Sequence, residues 1–170
     1  MILETLQFGI YKMDNNFTKA MTFTGKWEGL YSNDKFDKGG KTKYGIADAG
    51  DGRIDGLVDI NADGKGDVRV EDLTLEQALS RYYNSYWLAS GCDKLEPCLA
   101  TVVFDSAVNC GPGRAKRWLK KSGGDIRKYL ELRRVYYLAL IAKDPTQERF
   151  KKGWLNRLND LAKYVEILEK

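Results

Sequence analysis

Glu28 follows a tryptophan and precedes a glycine in the stretch GKWEGLYSND, residues 25–34. Asp34 lies six positions on and Asp37 nine, and TKYGI follows at 42–46. Carboxylates so spaced suit acid–base work at an ether oxygen. Breaking a glycosidic bond takes one acid to protonate the leaving oxygen. It also takes a second group to activate water or to stabilise the oxocarbenium-like centre. A glutamic acid against an aromatic ring is partly desolvated, which favours the protonated form such an acid needs. Trp27 is the chain neighbour, and Tyr31, three residues on, is the better face-mate on a helix. Asp34 and Asp37 fall on a polar loop where a carboxylate stays ionised, and Thr42 and Tyr44 reach back from the segment GGKTKYGI. The same residues have plainer readings. Glu28 also suits a solvated helix end, and Asn33-Asp34 and Asp37-Lys38-Gly39-Gly40 make turns whatever else they do.

The chain contains no histidine. That excludes Ser-His-Asp and Cys-His sites and the usual zinc hydrolase ligands. Acid–base chemistry falls to carboxylates, tyrosines or lysines. Cys92, Cys98 and Cys110 are odd in number and lack metal spacing, which predicts buried or free thiols of a reducing compartment. With 170 residues and 43% apolar content, one well-packed unit with a real core is expected. No run of apolar residues reaches bilayer length. The start carries Glu4 and no basic leader before an apolar stretch, which predicts no cleaved secretion signal and synthesis in a cytoplasm.

The net charge of +4 is unevenly spread. Between Asp48 and Glu76 the acids Asp51, Asp55, Asp59, Asp63, Asp67, Glu71 and Asp72 meet only Arg53, Lys65 and Arg69. Between Arg114 and Arg134 the bases Lys116, Arg117, Lys120, Lys121, Arg127, Lys128 and Arg133 meet only Asp125 and Glu131. A basic lobe favours polyanions such as nucleic acid, anionic lipid or acidic wall polymer, or it is simply a solvated helix surface.

These residues need elements to hold them, and the pattern is mainly helical. Phe17, Ala20, Met21, Phe23, Trp27 and Leu30 predict a helix over 17–31 with Asn15 or Asn16 as N-cap, placing Glu28 near its C-terminus. Thr74 with Gln77 predicts a capping box that opens a second helix, with an apolar face of Leu75, Ala78, Leu79, Tyr82, Tyr83 and Tyr86. Pro97 opens a third whose nearly all-round apolar surface marks it as the core. NCGPG at 109–113 ends it. A basic helix over about 114–121, a long one over about 126–142 and a last one over about 145–168 follow. Phe150, Trp154, Leu155, Leu158, Leu161 and Val165 are the buried stripe of the last. Little strand is expected beyond residues 40–47. Within the core helix, Asp105 and Asn109 either line a cleft or serve as a buried acid paired with an arginine and a helix end. Tyr31, Tyr86 and Trp87 are candidates for stacking on sugars, or core aromatics.

DINADGKGDVRVEDL, residues 59–73, resembles an EF-hand-like calcium loop, with oxygen-bearing side chains alternating around a glycine. Counted from Asp59, positions 1, 3, 5 and 6 are Asp59, Asn61, Asp63 and Gly64, but position 12 is Val70. Counted from Asn61, Asp72 takes position 12, with Lys65 at a ligand position. A loop stretched from Asp59 to Asp72 reconciles the two, with Asp59, Asn61, Asp63, Asp67 and Asp72 as the metal ligands. The alternative is a polar turn. A bound Ca²⁺ there is structural and orders the segment beside the site.

WEGLYSNDKFDKGGKTKYGI resembles the EGGY-type active-site segment of the glycoside hydrolase family 108 lysozymes, which are phage endolysins and related bacterial muramidases. Leu30 stands where the family motif has its second glycine. Three more segments resemble the family in order: LTLEQALSRYYNSYW (73–87), VVFDSAVNCGPGRAKRWLK (102–120) and FKKGWLNRLN (150–159). The resemblance therefore covers the chain from about residue 17. It implies a lysozyme-like, mainly α domain with a small β/loop region near residues 40–72 and the calcium-loop insertion. The expected division is an N-terminal extension (1–16), a catalytic lobe (17–91, insertion 48–73) and a helical C-terminal lobe (92–170) packed as one unit with it. It implies an N-acetylmuramidase cutting the β-1,4 bond between N-acetylmuramic acid and N-acetylglucosamine, with Glu28 as general acid. By likeness to phage lysozymes, where an aspartate nine residues on and then a threonine follow the glutamate, Asp37 is the base and Thr42 the water holder. Asp34 is the rival base. Tyr31, Asp34, Tyr44 and Asn109 are expected to contact substrate. The implied partner is peptidoglycan, with anionic membrane or wall polymer on residues 114–134, no nucleic acid, and a monomeric state. The implied location is the host cytoplasm, then the periplasm and wall after release through a holin pore. Two rivals remain: a lytic transglycosylase using Glu28 alone, and a non-catalytic wall-binding module.

Overall fold

A computed structural model describes residues 14–29, 42–47, 55–61 and 63–169. Helix α1 spans Asn15–Trp27. Its N-cap is Asp14, one residue before the asparagines expected for that role, because the Asp14 carboxylate accepts from the Asn16 N–H. The helix stops at Trp27, short of the predicted 31. Glu28 is its C-cap, donating its N–H to the Thr24 carbonyl. Two small antiparallel hairpins follow. In the first, β1 (Thr42–Lys43) pairs with β2 (Ile46–Ala47). In the second, β3 (Leu57–Val58) pairs with β4 (Val68–Arg69), beyond the strand expected at 40–47 but within the β/loop region expected near 40–72.

Helix α2 covers Leu75–Arg81 and opens with the complete Thr74–Gln77 capping box, as the sequence predicts. From Tyr82 to Leu88 the chain widens into a π-helical turn. The apolar run after Leu79 does not repeat at α-helical spacing, and the wider turn puts Trp87 wholly in the core while leaving Tyr86 half-buried. Helix α3 spans Pro97–Cys110, with the proline at the first position, where no N–H bond is lost. α4 (Pro112–Ser122), α5 (Ile126–Lys143) and α6 (Glu148–Leu168) complete the chain. Gly123 closes α4 in the left-handed conformation, and Asp125 caps α5 by accepting from the Lys128 N–H.

The core lies around α3, whose residues from Ala100 to Ala107 are all buried. α1 packs on it through Phe17, whose ring meets Tyr83, Trp87 and Phe104 edge-on at centroid distances of 5.1, 5.6 and 5.6 Å. The last helix departs from expectation in its first half. Leu158, Leu161 and Val165 are buried, but Phe150 is 42% exposed, and Arg157 is buried among the leucines. Phe150 and Trp154 instead continue a stack built on Tyr137, with Tyr137–Trp154 and Trp154–Phe150 centroids at 4.9 and 5.7 Å. All three cysteines are free thiols. Among the described residues no helix is long and apolar enough to cross a membrane.

Candidate active site

A cavity of about 200 Å³ opens where the end of α1, the first hairpin, α2 and α3 meet. Glu28, Gly45, Ile46, Arg81, Tyr82, Tyr86 and Val108 line it. Glu28 reaches this wall because α1 ends one residue before it. The side chain keeps 21% of its surface open, while its Oε1 is buried.

The first hairpin is shaped to lie against that glutamate. Its two-residue turn, Tyr44-Gly45, has positive φ at both positions, 54° and 73°, which matches the twist of the flanking strands. Glycine accepts this conformation without strain. It is also required by contact. A Cβ on Gly45 would stand 2.6 Å from Tyr82 Oη, 2.8 Å from the Glu28 carbonyl oxygen and 2.9 Å from Glu28 Cβ. Tyr82 fixes the turn from the other side by donating its hydroxyl to the Tyr44 carbonyl at 3.2 Å. Burial first, then the Glu28 charge, pushes the Tyr82 phenol well above its ordinary range, so it serves as a neutral donor.

Glu28 meets a cation that its neighbours in the chain did not announce. Its Oε1 lies 2.7 Å from Nη2 of Arg157 on α6. The Arg157 guanidinium in turn faces the Trp27 ring at 5.9 Å. Arg157 gives its aligned hydrogen bonds to Asp105: Nε to Oδ1 and Oδ2 at 3.1 and 3.2 Å, and Nη2 to Oδ1 at 2.7 Å. Contact with Glu28 is one of charge and proximity, without an aligned hydrogen bond on Oε1.

Asp105 is fully buried, and its partners come from three other helices. Arg133 on α5 donates to Oδ2 at 2.6 Å and to Ser106 Oγ at 3.1 Å. Thr24, one turn before Glu28 on α1, donates to Oδ1 at 3.2 Å. Burial alone would raise the Asp105 carboxyl, but the charges and hydrogen bonds of Arg133 and Arg157 outweigh it and hold the group below the usual carboxylate range. Of the two readings of Asp105, the structural one describes what is found. Asn109 is likewise engaged, accepting from the Tyr137 hydroxyl at 2.5 Å, beside Val108 at the cavity. Tyr137 also receives Arg133 Nε at 2.8 Å.

Of the other expected site residues, Tyr31, Asp34 and Asp37 lie outside the described residues. Thr42 opens β1, paired with Ala47, and Tyr44 contributes its turn and carbonyl to the wall behind Glu28. Sequence reasoning passed over Arg157, Arg81, Tyr82 and Gly45. A usable signal existed for Arg157: an aspartate inside an all-apolar helix needs buried cations, and Arg157 falls on the buried face of α6 between Trp154 and Leu161.

The acidic loop holds itself together with its own backbone. Asp59 is buried and accepts from the N–H groups of Asp63 and Gly64 at 3.2 and 2.8 Å. Asn61 accepts from Asp63 N–H, Asp63 from Lys65 N–H and Asp67 from Ile60 N–H. Asp72 belongs to a 3₁₀ turn after β4. Among the described residues no three His, Cys, Asp or Glu side chains converge as a metal site would need. The buried Arg81 donates to the Asp59 carbonyl, tying this loop to the cavity wall.

Two family models match the chain. One, described as glycosyl hydrolase 108, covers residues 21–111, and the other, described as a predicted peptidoglycan domain, covers residues 116–159. No curated protein and no solved structure matches. The cavity with Glu28 falls within the first match, and Arg133 and Arg157 fall within the second.

Proposed function

The chain belongs to the glycosyl hydrolase 108 family and is a peptidoglycan hydrolase with a peptidoglycan-binding portion, and on that footing we propose that Glu28 is its general acid. The supporting observation is position: Glu28 is a carboxylate on the cavity wall inside the matched hydrolase region, fixed from behind by Gly45 and Tyr82 and from the side by Arg157. In this reading the scissile bond is the β-1,4 link between N-acetylmuramic acid and N-acetylglucosamine. Glu28 gives its proton to the leaving oxygen as the C–O bond breaks, and water attacks the oxocarbenium-like centre. Asp37 deprotonates that water, with Asp34 as the rival, and Thr42 holds it. Tyr31, Asp34, Tyr44 and Asn109 are the proposed substrate contacts. Glu28→Gln, which keeps shape and removes the proton, tests the acid. Loss of lysis with retained binding to sacculi supports the assignment, and unchanged lysis rejects it.

A lytic transglycosylase differs only in the nucleophile, since the substrate's own hydroxyl closes on the anomeric carbon. Reducing ends in the products support hydrolysis, and anhydro ends support the alternative. Three further proposals attach to this function. Ca²⁺ binds Asp59, Asn61, Asp63, Asp67 and Asp72, a reading supported by the oxygen-rich sequence; it requires carboxylates now accepting backbone N–H bonds to turn toward a common point. Calorimetric titration of chelated protein at millimolar Ca²⁺ decides it, and absence of uptake removes it. The exposed Lys116, Arg117, Lys120, Lys121, Arg127 and Lys128 bind an anionic wall polymer or membrane leaflet, weakening as salt rises. The protein acts as a monomer at the wall, after release from the cytoplasm in which it is made.

A further inference from the structure

Arg157 lies outside the region matched as a hydrolase, yet it is in contact with the glutamate that region supplies. Its side chain is 7% exposed, and its guanidinium is held by three hydrogen-bond contacts to Asp105, whose other partners are Arg133 and Thr24. A long side chain anchored in this way has no rotamer freedom left to lose when it meets a substrate-facing carboxylate. The one Glu28 oxygen it touches is the buried one. Pinning that oxygen fixes the plane of the carboxyl group, and with it the direction in which the other oxygen presents a proton. The four charges also close on one another: Arg133 and Arg157 against Asp105 and Glu28.

We propose that Arg157 is a positioning residue for glycosidic cleavage, carried to the active site by the peptidoglycan-binding portion, so that the two matched regions form one catalytic unit and not an enzyme with a separable binding module. The proposal rests on Glu28 being the acid. Other groups facing Glu28 are Tyr82 and, across the cavity, Arg81 and Tyr86, while Asp105 acts from behind Arg157.

The test uses the full chain as wild type, Arg157→Gln and Arg157→Lys, with kcat and KM measured on purified sacculi and the folded fraction followed by near-ultraviolet circular dichroism. Misplacing a catalytic group by about 1 Å costs on the order of 10²-fold, so kcat per folded molecule should fall about 10- to 100-fold in Arg157→Gln, with KM little changed. Arg157→Lys should recover part of kcat but not all, because one ammonium cannot serve Asp105 and Glu28 as a planar fork does. A folded Arg157→Gln protein with wild-type kcat overturns the proposal. So does a loss of activity matched wholly by loss of folded protein, with kcat per folded molecule unchanged. If Arg157→Gln does not fold, Arg157→Lys decides alone: reduced kcat at unchanged KM supports the proposal, and wild-type kcat overturns it. Failure of the acid assignment itself shows on a different variant, as full activity of Glu28→Gln.

Discussion

Gly45 is the most exacting point behind the candidate acid, and replacing it with alanine perturbs both stability and turnover. Alanine in the left-handed region costs about 1–2 kcal/mol. The new methyl carbon would stand 2.6 Å from Tyr82 Oη and under 3 Å from two Glu28 atoms, distances that force a shift. Tyr82 is buried and its ring has little room, so its hydrogen bond to the Tyr44 carbonyl should be lost, at about 0.5–1.5 kcal/mol. Together these give about 1.5–3.5 kcal/mol, which for a chain of this size lowers the melting temperature by about 3–14 °C. Glu28 must also move, and a displacement near 1 Å should reduce kcat on the order of 10²-fold. The assay is a thermal melt with muralytic turnover measured well below the transition. Gly66→Ala is the control: its methyl would press on the Leu57 side chain, away from the cavity, so stability should fall and kcat per folded molecule should hold. A Gly45→Ala protein that melts with the wild type and turns over at its rate refutes the packing argument.

Two further predictions concern the scaffold. Asp105→Asn leaves Arg133 and Arg157 buried without their shared counter-charge and should cost about 3–5 kcal/mol in a urea or thermal melt. Because the folded state holds the Asp105 carboxyl below its unfolded value near 4, its contribution is fully present above about pH 4 and lost as pH falls through the folded value, so wild-type stability should drop in that acid window and the variant's should drop less. Gly153 sits in the interior of α6 with open space where a side chain would go, so Gly153→Ala should stabilise by about 0.5–1 kcal/mol, seen as a higher melting temperature with unchanged activity.

The helices were legible because their signals are local. Capping by Thr74 with Gln77, Pro97 at a first turn, and the Gly123–Asp125 break are decided by a few neighbouring residues, and each is found in the structure. The apolar run of α3 announced the core for the same reason. What sequence reasoning could not place depends on distant partners. The π turn after Arg81 answers to the fit of Trp87 against Phe17 and Phe104, residues far off in the chain. Arg157 is 52 positions from Asp105 and much further from Glu28, so its place on the buried face of α6 marks it as a partner only once Asp105 is known to need a buried cation. The apolar stripe expected for α6 failed at Phe150 because Tyr137 and Trp154 offered it a ring stack near the surface in place of a core site. Glu28 was legible as a carboxylate at a helix end, and the structure puts it on a cavity wall. Its cationic neighbour was not, and Tyr31, the face-mate expected for it, lies outside the described residues.

The claim on which everything turns is that the Glu28 carboxyl delivers a proton to the glycosidic oxygen. Mass spectrometry of muropeptides released by wild-type and Glu28→Gln protein tests it most directly. The account predicts disaccharide-peptides with reducing N-acetylmuramic acid ends from the wild type and none above background from a folded, wall-binding Glu28→Gln variant. The same products at the same rate from that variant would contradict it.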